Sequence, residues 1–203
     1  MADSQGMRAI EDLEGNALKW IKPAGGRYYE LVGAGDVYAT LKWEGVFGSL
    51  ATGRTSDLDY TFKRAGFMMP YVTVRKIAYD QEIGKMRMGF GGNGLLEFAD
   101  GRRFSFTKTG FWNPEWAFCS DDGRRLCTFT MASTLTKRQA DVLLDPDGRR
   151  LPNVIMLLIL GWYVIILQAE EAATAASSTA AFTSMQAAAA AGTAAAIPPP
   201  PSH

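Results

Sequence analysis

Apolar and polar residues alternate for about a hundred residues from Tyr28 onward. Val37, Ala39, Leu41 and Trp43, for example, alternate with Tyr, Thr, Lys and Glu. A period of two residues is typical of a β-strand that buries one face. The same alternation recurs in the segments 60–63, 71–75, 85–90 and 103–107. Glycine or aspartate separates these segments at short intervals, so the pattern predicts an antiparallel β-sandwich or β-barrel.

The tetrapeptide Asp-Gly-Arg-Arg occurs at three places, 100–103, 122–125 and 147–150. Asp-Gly favours the positive φ angles of a tight type I′ turn, so the first two copies predict the tips of two β-hairpins. The third copy comes shortly before the most apolar part of the chain and predicts a simple turn.

The segment Val154–Leu167 has fourteen residues and no charge. As an α-helix it would be apolar on every side, so protein or lipid must surround it. Fourteen helical residues rise about 21 Å, whereas a bilayer core is about 30 Å thick. We therefore expect a helix in the core of the protein, with a membrane anchor or two buried strands broken at Gly161 as alternatives. The predicted centre of this core helix is Leu157, Leu158, Leu160, Gly161, Trp162 and Tyr163.

The composition divides the chain into three regions. Residues 1–26 form a polar lead-in, within which Ala17–Ile21 could form a short strand or a turn. Residues 27–168 form the folded body, which ends with the apolar segment. Residues 169–203 are rich in alanine and proline, and predict a frayed helical extension followed by disorder. The N-terminus has no apolar signal segment, so we expect a cytoplasmic location, with membrane association as the alternative.

Charge and residue usage exclude several kinds of chemistry. The chain has 21 basic and 21 acidic residues, so it has no net field that would attract nucleic acid. The single histidine, His203, and two cysteines, Cys119 and Cys127, argue against histidine catalysis, metal centres and disulfide frameworks. The glycine-rich segment 89–94 matches a dinucleotide fingerprint, but a strand pattern follows it where a helix is required. We expect no cofactor and no metal.

The arginine pairs of the repeated tetrapeptide are the candidate binding residues. They could gather into a patch that binds anions, including phospholipid headgroups. Ordinary solvated hairpin tips are the alternative, since aspartates lie beside them in the sequence. The candidate residues are Arg102, Arg103, Arg124, Arg125, Arg149 and Arg150.

A series of short motifs resembles the tubby C-terminal-like superfamily, which includes LURP-one-related proteins and phospholipid scramblases. The motifs are Tyr38–Trp43, Phe47–Ala51, Tyr60–Arg64, Gly94–Gly101, Trp112–Trp116 and Leu157–Tyr163. They are most similar to those of small prokaryotic members. The resemblance implies a mainly β fold, a closed antiparallel barrel of about twelve strands around a hydrophobic C-terminal helix.

The resemblance also implies a non-enzymatic binding module that recognises an anionic phospholipid headgroup or a protein partner. A scramblase-like membrane protein anchored through 154–167 is one alternative. An enzyme that uses an unrecognised carboxylate chemistry is the other. The sequence leaves the ligand and the oligomeric state open.

Overall fold

The computed structural model describes residues 6–26, 28–45, 48–110, 114–131 and 139–193. Side chains are described up to Ser177, apart from that of Phe90. Parts of two motifs that carry the family resemblance, at 46–47 and 111–113, lie outside the described residues. The chain divides into two compact units, Met1–Ile166 and Leu167–His203.

The described part of the first unit contains a closed barrel of twelve antiparallel strands. The strands are β1 (Ala17–Ile21), β2 (Tyr28–Gly33), β3 (Asp36–Trp43), β4 (Ala51–Thr55), β5 (Asp59–Ala65), β6 (Tyr71–Lys76), β7 (Gln81–Met88), β8 (Gly94–Phe98), β9 (Arg103–Thr109), β10 (Glu115–Ser120), β11 (Arg125–Met131) and β12 (Ala140–Leu144). Each strand pairs with its neighbour in sequence, and β1 pairs with β12 to close the barrel. The predicted mainly β barrel of about twelve strands is confirmed.

The register of the strands places the alternating apolar residues of neighbouring strands on the same, inner face of the barrel. On β5 and β6, for example, Phe62 lies opposite Val74, and both side chains are completely buried. Their neighbours Lys63 and Thr73 lie opposite each other on the outer face. Because successive side chains of a strand point to opposite faces, one pairing buries the apolar set and exposes the polar set.

The interior of the barrel is filled by the first part of the helix α2, which spans Val154–Thr193. Every residue from Met156 to Ile166 is buried. The expected core helix is therefore confirmed, and the alternative of two strands broken at Gly161 is wrong. An apolar stretch without a polar face is stable here because the inward side chains of the barrel surround it.

One of the predicted boundaries needs correction. The polar lead-in 1–26 contains β1, which pairs with both β2 and β12 and so belongs to the barrel. Trp20 of this strand is completely buried. Helix α2 continues past the predicted core segment 154–167 to Thr193, which agrees with the helical extension predicted for the alanine-rich segment. Residues 194–203 of the predicted tail lie outside the described residues.

Both predicted Asp-Gly hairpins are present, between β8 and β9 and between β10 and β11. The turn type differs from the prediction, because only the glycines, Gly101 and Gly123, have positive φ angles. A type I′ turn needs positive φ at both central residues, so neither turn is of this type. The third copy of the tetrapeptide, 147–150, overlaps the short helix α1 (Pro146–Arg149) rather than forming a simple turn.

Since the strands alternate in direction, successive connections lie at opposite ends of the barrel. We call the end with the turns β2–β3, β4–β5, β6–β7, β8–β9 and β10–β11 the turn end, and the opposite end the rim end. Helix α2 runs from the turn end to the rim end. Asn153, just before α2, lines a small pocket with Ala99 and Asp100, whereas the Tyr163 hydroxyl bonds to the backbone of Ser49 and Arg64.

Candidate functional site

The fold brings the three predicted arginine pairs to the same end of the barrel, the turn end. Acidic side chains pair with most of these arginines. Arg102 pairs with Asp100 at 2.7 Å, and Arg124 pairs in the same way with Asp122 at 2.7 Å. The remaining contacts are Arg103 with Glu97, Arg124 and Arg150 with Asp147, Arg125 with Glu115, and Arg149 with the backbone carbonyls of Leu13 and Gly15.

The arginines and aspartates of the turn end form a network of ion pairs. A hydrogen bond from Arg102 lowers the pKa of the Asp100 carboxyl below its usual value. The pKa of the Asp122 carboxyl is lowered mainly by a hydrogen bond from the Ser120 hydroxyl, and also by one from Arg124. Each of the five hairpin turns also has an aspartate in it or beside it, which is a residue that turns favour. These aspartates are Asp36, Asp57, Asp80, Asp100 and Asp122. Five of the six predicted arginines thus form ion pairs within the protein, and their role in binding anions stays a prediction.

The rim end has the opposite character. Six exposed cations lie in the last four residues of β3, β5, β7 and β9, or directly after β1. We call these six residues the basic rim: Lys22, Lys42, Lys63, Lys85, Arg87 and Lys108. With Lys19 and Arg64 they outnumber the acids at this end, which in the described chain are Glu30, Glu44, Glu115 and Asp141. The barrel is thus polarised along its axis.

Several cations of the basic rim are not neutralised by acids. Within the described residues, Lys42, Lys63 and Lys108 form no ion pair. The ammonium of Lys108 lies 5.2 Å from the ring centre of Trp116. Lys22 lies 5.8 Å from the ring centre of Tyr29. Such lysines keep their positive charge available to an anionic partner.

The connection between β5 and β6 contains the three large hydrophobic side chains with the highest exposure in the described chain. We call residues 66–70 the apolar loop. Its Phe67 is 100 % exposed, Met68 is 90 % exposed and Met69 is 84 % exposed. Gly66 begins the loop with a φ of +80°, and a Cβ atom there would lie 2.4 Å from the carbonyl oxygen of Met69. Contiguous exposed apolar residues of this kind mark interaction sites.

A groove of about 560 Å³ lies between the apolar loop and the outer face of β7. Met68, Met69 and Pro70 of the loop line it on one side. The other side is lined by residues of β6 and β7 and by the residue that follows β7: Tyr71, Lys85, Arg87, Met88 and Gly89. The basic rim, the apolar loop and this groove together form the candidate functional site.

A regular spacing of lysines in the sequence indicates the basic rim, although the repeated arginines are the more conspicuous feature. Lys22, Lys42, Lys63, Lys85 and Lys108 follow one another at spacings of 20, 21, 22 and 23 residues. That spacing corresponds to one β-hairpin, so each cation returns to the same end of the barrel. The signal becomes meaningful only when the strand lengths and the alternating directions are known.

The predicted residues of the core helix have structural roles. Leu157, Leu158, Leu160, Gly161, Trp162 and Tyr163 are all buried. The ring of Trp162 stacks on that of Trp20 with centres 6.0 Å apart. The Tyr163 hydroxyl donates to the carbonyl of Ser49 and accepts from the Arg64 amide, which anchors the helix at the rim end.

The cysteines do not form a reactive pair. Burial raises the pKa of the Cys127 thiol to about 12, and Cys119 is half-buried. Within the described ranges, no group of three or more His, Cys, Asp or Glu side chains is placed to hold a metal ion.

By length and composition, one stretch of the described chain could cross a bilayer. It is Val154–Ser177, with a mean hydropathy of 1.8 in its most apolar window, and 67 % of that window is buried inside the protein. The core helix of a globular protein has the same composition, so the stretch is weak support for a membrane span. Comparison of the chain with known protein families, curated proteins and solved structures finds no match.

Proposed function

We propose that the protein is a non-enzymatic module that binds the surface of anionic membranes through the rim end of its barrel. The observation that carries this proposal is the complete exposure of Phe67, with Met68 and Met69 beside it, at an end where cations outnumber acids. Apolar side chains enter the boundary between headgroups and acyl chains, while lysines and arginines are attracted to acidic headgroups.

Known magnitudes make this combination sufficient for reversible binding. Each basic residue near an anionic surface contributes about 1 kcal/mol. Full burial of a phenylalanine or methionine side chain contributes about 1.5–3 kcal/mol. The acids of the turn end would be repelled by the same surface, so the polarity of the barrel favours a single orientation with the apolar loop toward the lipid.

Peripheral binding fits the packing better than an anchor through 154–167. An anchored form would have to remove Met156–Ile166 from the barrel, where each residue is buried. The inward side chains of the strands would then line an empty interior, and cavities of that kind are costly. An anionic partner also agrees with the expected cytoplasmic location, because the cytoplasmic leaflet carries acidic lipids.

The proposal is tested by cosedimentation of the full chain with vesicles of phosphatidylcholine, with and without phosphatidylserine. We expect binding only to the acidic vesicles, with an affinity that falls as salt rises. Replacing Phe67, Met68 and Met69 together by serine should weaken it by about tenfold or more. The matched control replaces Ile77 and Tyr79, which are 46 % and 72 % exposed beside the β6–β7 turn at the turn end.

A second pair of variants tests the charge polarity. Lys42→Ala with Lys63→Ala should weaken binding and reduce its salt dependence, whereas Arg102→Ala with Arg124→Ala should change little. Equal binding to neutral and acidic vesicles would overturn the electrostatic part of the proposal. Binding to neither kind would overturn the membrane function and favour a protein partner at the same surface.

A further inference from the structure

We propose that the groove beneath the apolar loop binds the chain of a single-chain anionic amphiphile, such as a long-chain fatty acid. The inference rests on the proposed function, because both use the rim end, and it adds a class of ligand for the groove. Its experiment is separate, because a single-chain amphiphile can bind without any membrane.

The size and lining of the groove suit an alkyl chain. Its volume of about 560 Å³ lies within the range of small-molecule sites, about 300–1,000 Å³. Three methionines, Met68, Met69 and Met88, line it. Methionine is unbranched and adaptable, so such walls can close around a flexible chain of varying length.

Two cations give the groove its preference for an anionic head. The Lys85 ammonium lies 4.8 Å from the ring centre of Tyr71, and it is 3.9 Å from Glu82, the limit of a direct ion pair. Arg87 pairs with Glu97 at 2.8 Å, and the same carboxylate also pairs with Arg103. Glu97 is therefore shared between two arginines, so the positive charge at the groove is only partly neutralised and can attract a carboxylate.

The backbone around the groove argues against a peptide as the occupant. Strand β7 is paired on both sides, with β6 and with β8, so it has no free edge to which an extended peptide could add. The Met88 amide donates to the carbonyl of Pro70, and the Gly89 amide donates to the carbonyl of Asn93. An alkyl chain needs no hydrogen bonds, so it fits a wall whose backbone donors are already used.

The experiment measures binding of dansylaminoundecanoic acid, a fluorescent fatty acid, to the full chain without vesicles and below the micelle concentration of the probe. We expect saturable binding at one site, with the uncharged methyl ester of the probe binding at least about fivefold more weakly. Met69→Glu should weaken binding of the acid about tenfold or more, because it places an acid on the wall. Met69 is 84 % exposed, so this variant should fold normally.

Two further variants separate this inference from the proposed function. Met88→Trp should fill the groove and reduce binding of the probe while vesicle binding persists. Phe67→Ser should do the reverse, because Phe67 does not line the groove. No saturable binding, or equal binding of acid and ester, would overturn the groove inference. Probe binding without vesicle binding would support the groove and overturn only the membrane function.

Discussion

Gly161, in the middle of the buried part of α2, lies directly against the ring of Phe129 on β11. A Cβ atom at Gly161 would be 2.5 Å from Cζ of Phe129 and 3.2 Å from Cε2 of Phe118. Glycine inside a helix normally costs about 1 kcal/mol relative to alanine. Here the lack of a side chain at Gly161 allows the helix to approach the barrel wall, so the packing of the core requires glycine at this position.

We predict that Gly161→Ala destabilises the protein, in contrast to the same change in an exposed helix. Phe129 is completely buried, so it can move only by disturbing other core side chains. Overpacking of this kind costs about 1–3 kcal/mol. Urea unfolding of the variant and the parent would measure the difference. An increase in the free energy of unfolding would show that the helix does not approach the wall so closely.

Leu158→Asp should prevent folding to a soluble protein, because it would bury an unpaired charge inside the barrel. Leu158 is completely buried, whereas Leu143 on the outer face of β12 is 47 % exposed. Leu143→Asp is therefore the matched control, and it should fold with nearly the parent melting temperature. The yield of soluble β-rich protein, followed by circular dichroism, is the measurement. Normal melting of Leu158→Asp would mean that this segment is not enclosed.

The stability of the protein should fall as the pH rises above about 9, in part because of Cys127. Burial raises its pKa from 9.0 to about 12 in the folded protein, so the unfolded chain loses the thiol proton first. Below pH 9 the stabilisation is fully present, and it is lost between pH 9 and 12. The slope from this group is about 1.4 kcal/mol per pH unit.

Cys127→Ala is the control for that slope. Burial also raises the pKa of Tyr60, so both proteins should lose some stability in alkali. Unfolding in urea at several pH values between 8 and 11 should show a shallower fall for the variant. Identical slopes for parent and variant would contradict the assignment to Cys127. The comparison of slopes is independent of the small cavity that the substitution leaves.

Deletion of residues 172–203 should leave the melting temperature almost unchanged. The side chains from Glu171 to Ser177 are exposed, and the segment is composed mainly of alanine with no apolar stripe. A helix of this kind offers little surface for packing. Scanning calorimetry of the full chain and the deletion variant would measure the effect. A decrease of more than a few degrees would show that the tail packs on another part of the protein.

The turn end illustrates where sequence reasoning reached its limit. The Asp-Gly pairs correctly predicted two hairpins, because a turn is a local property of a few residues. The same tetrapeptides suggested an anion patch, but Arg124 and Arg149 also bind Asp147 and Leu13, which lie 23 and 136 residues away in the sequence. A cation can be judged available only when its neighbours in space are known.

What the sequence alone determined is the set of elements whose causes are local. The alternation around Phe62 and Val74 specifies strands with one buried face, and the uncharged run from Val154 specifies a helix that must be enclosed. The tertiary structure alone decided which residues meet. The pairing of β1 with β12 brought a segment predicted as a lead-in into the barrel. The alternating strand directions placed Lys22 and Lys108, which are 86 residues apart, together at the rim end. These relationships depend on strand order and register, which no local pattern encodes.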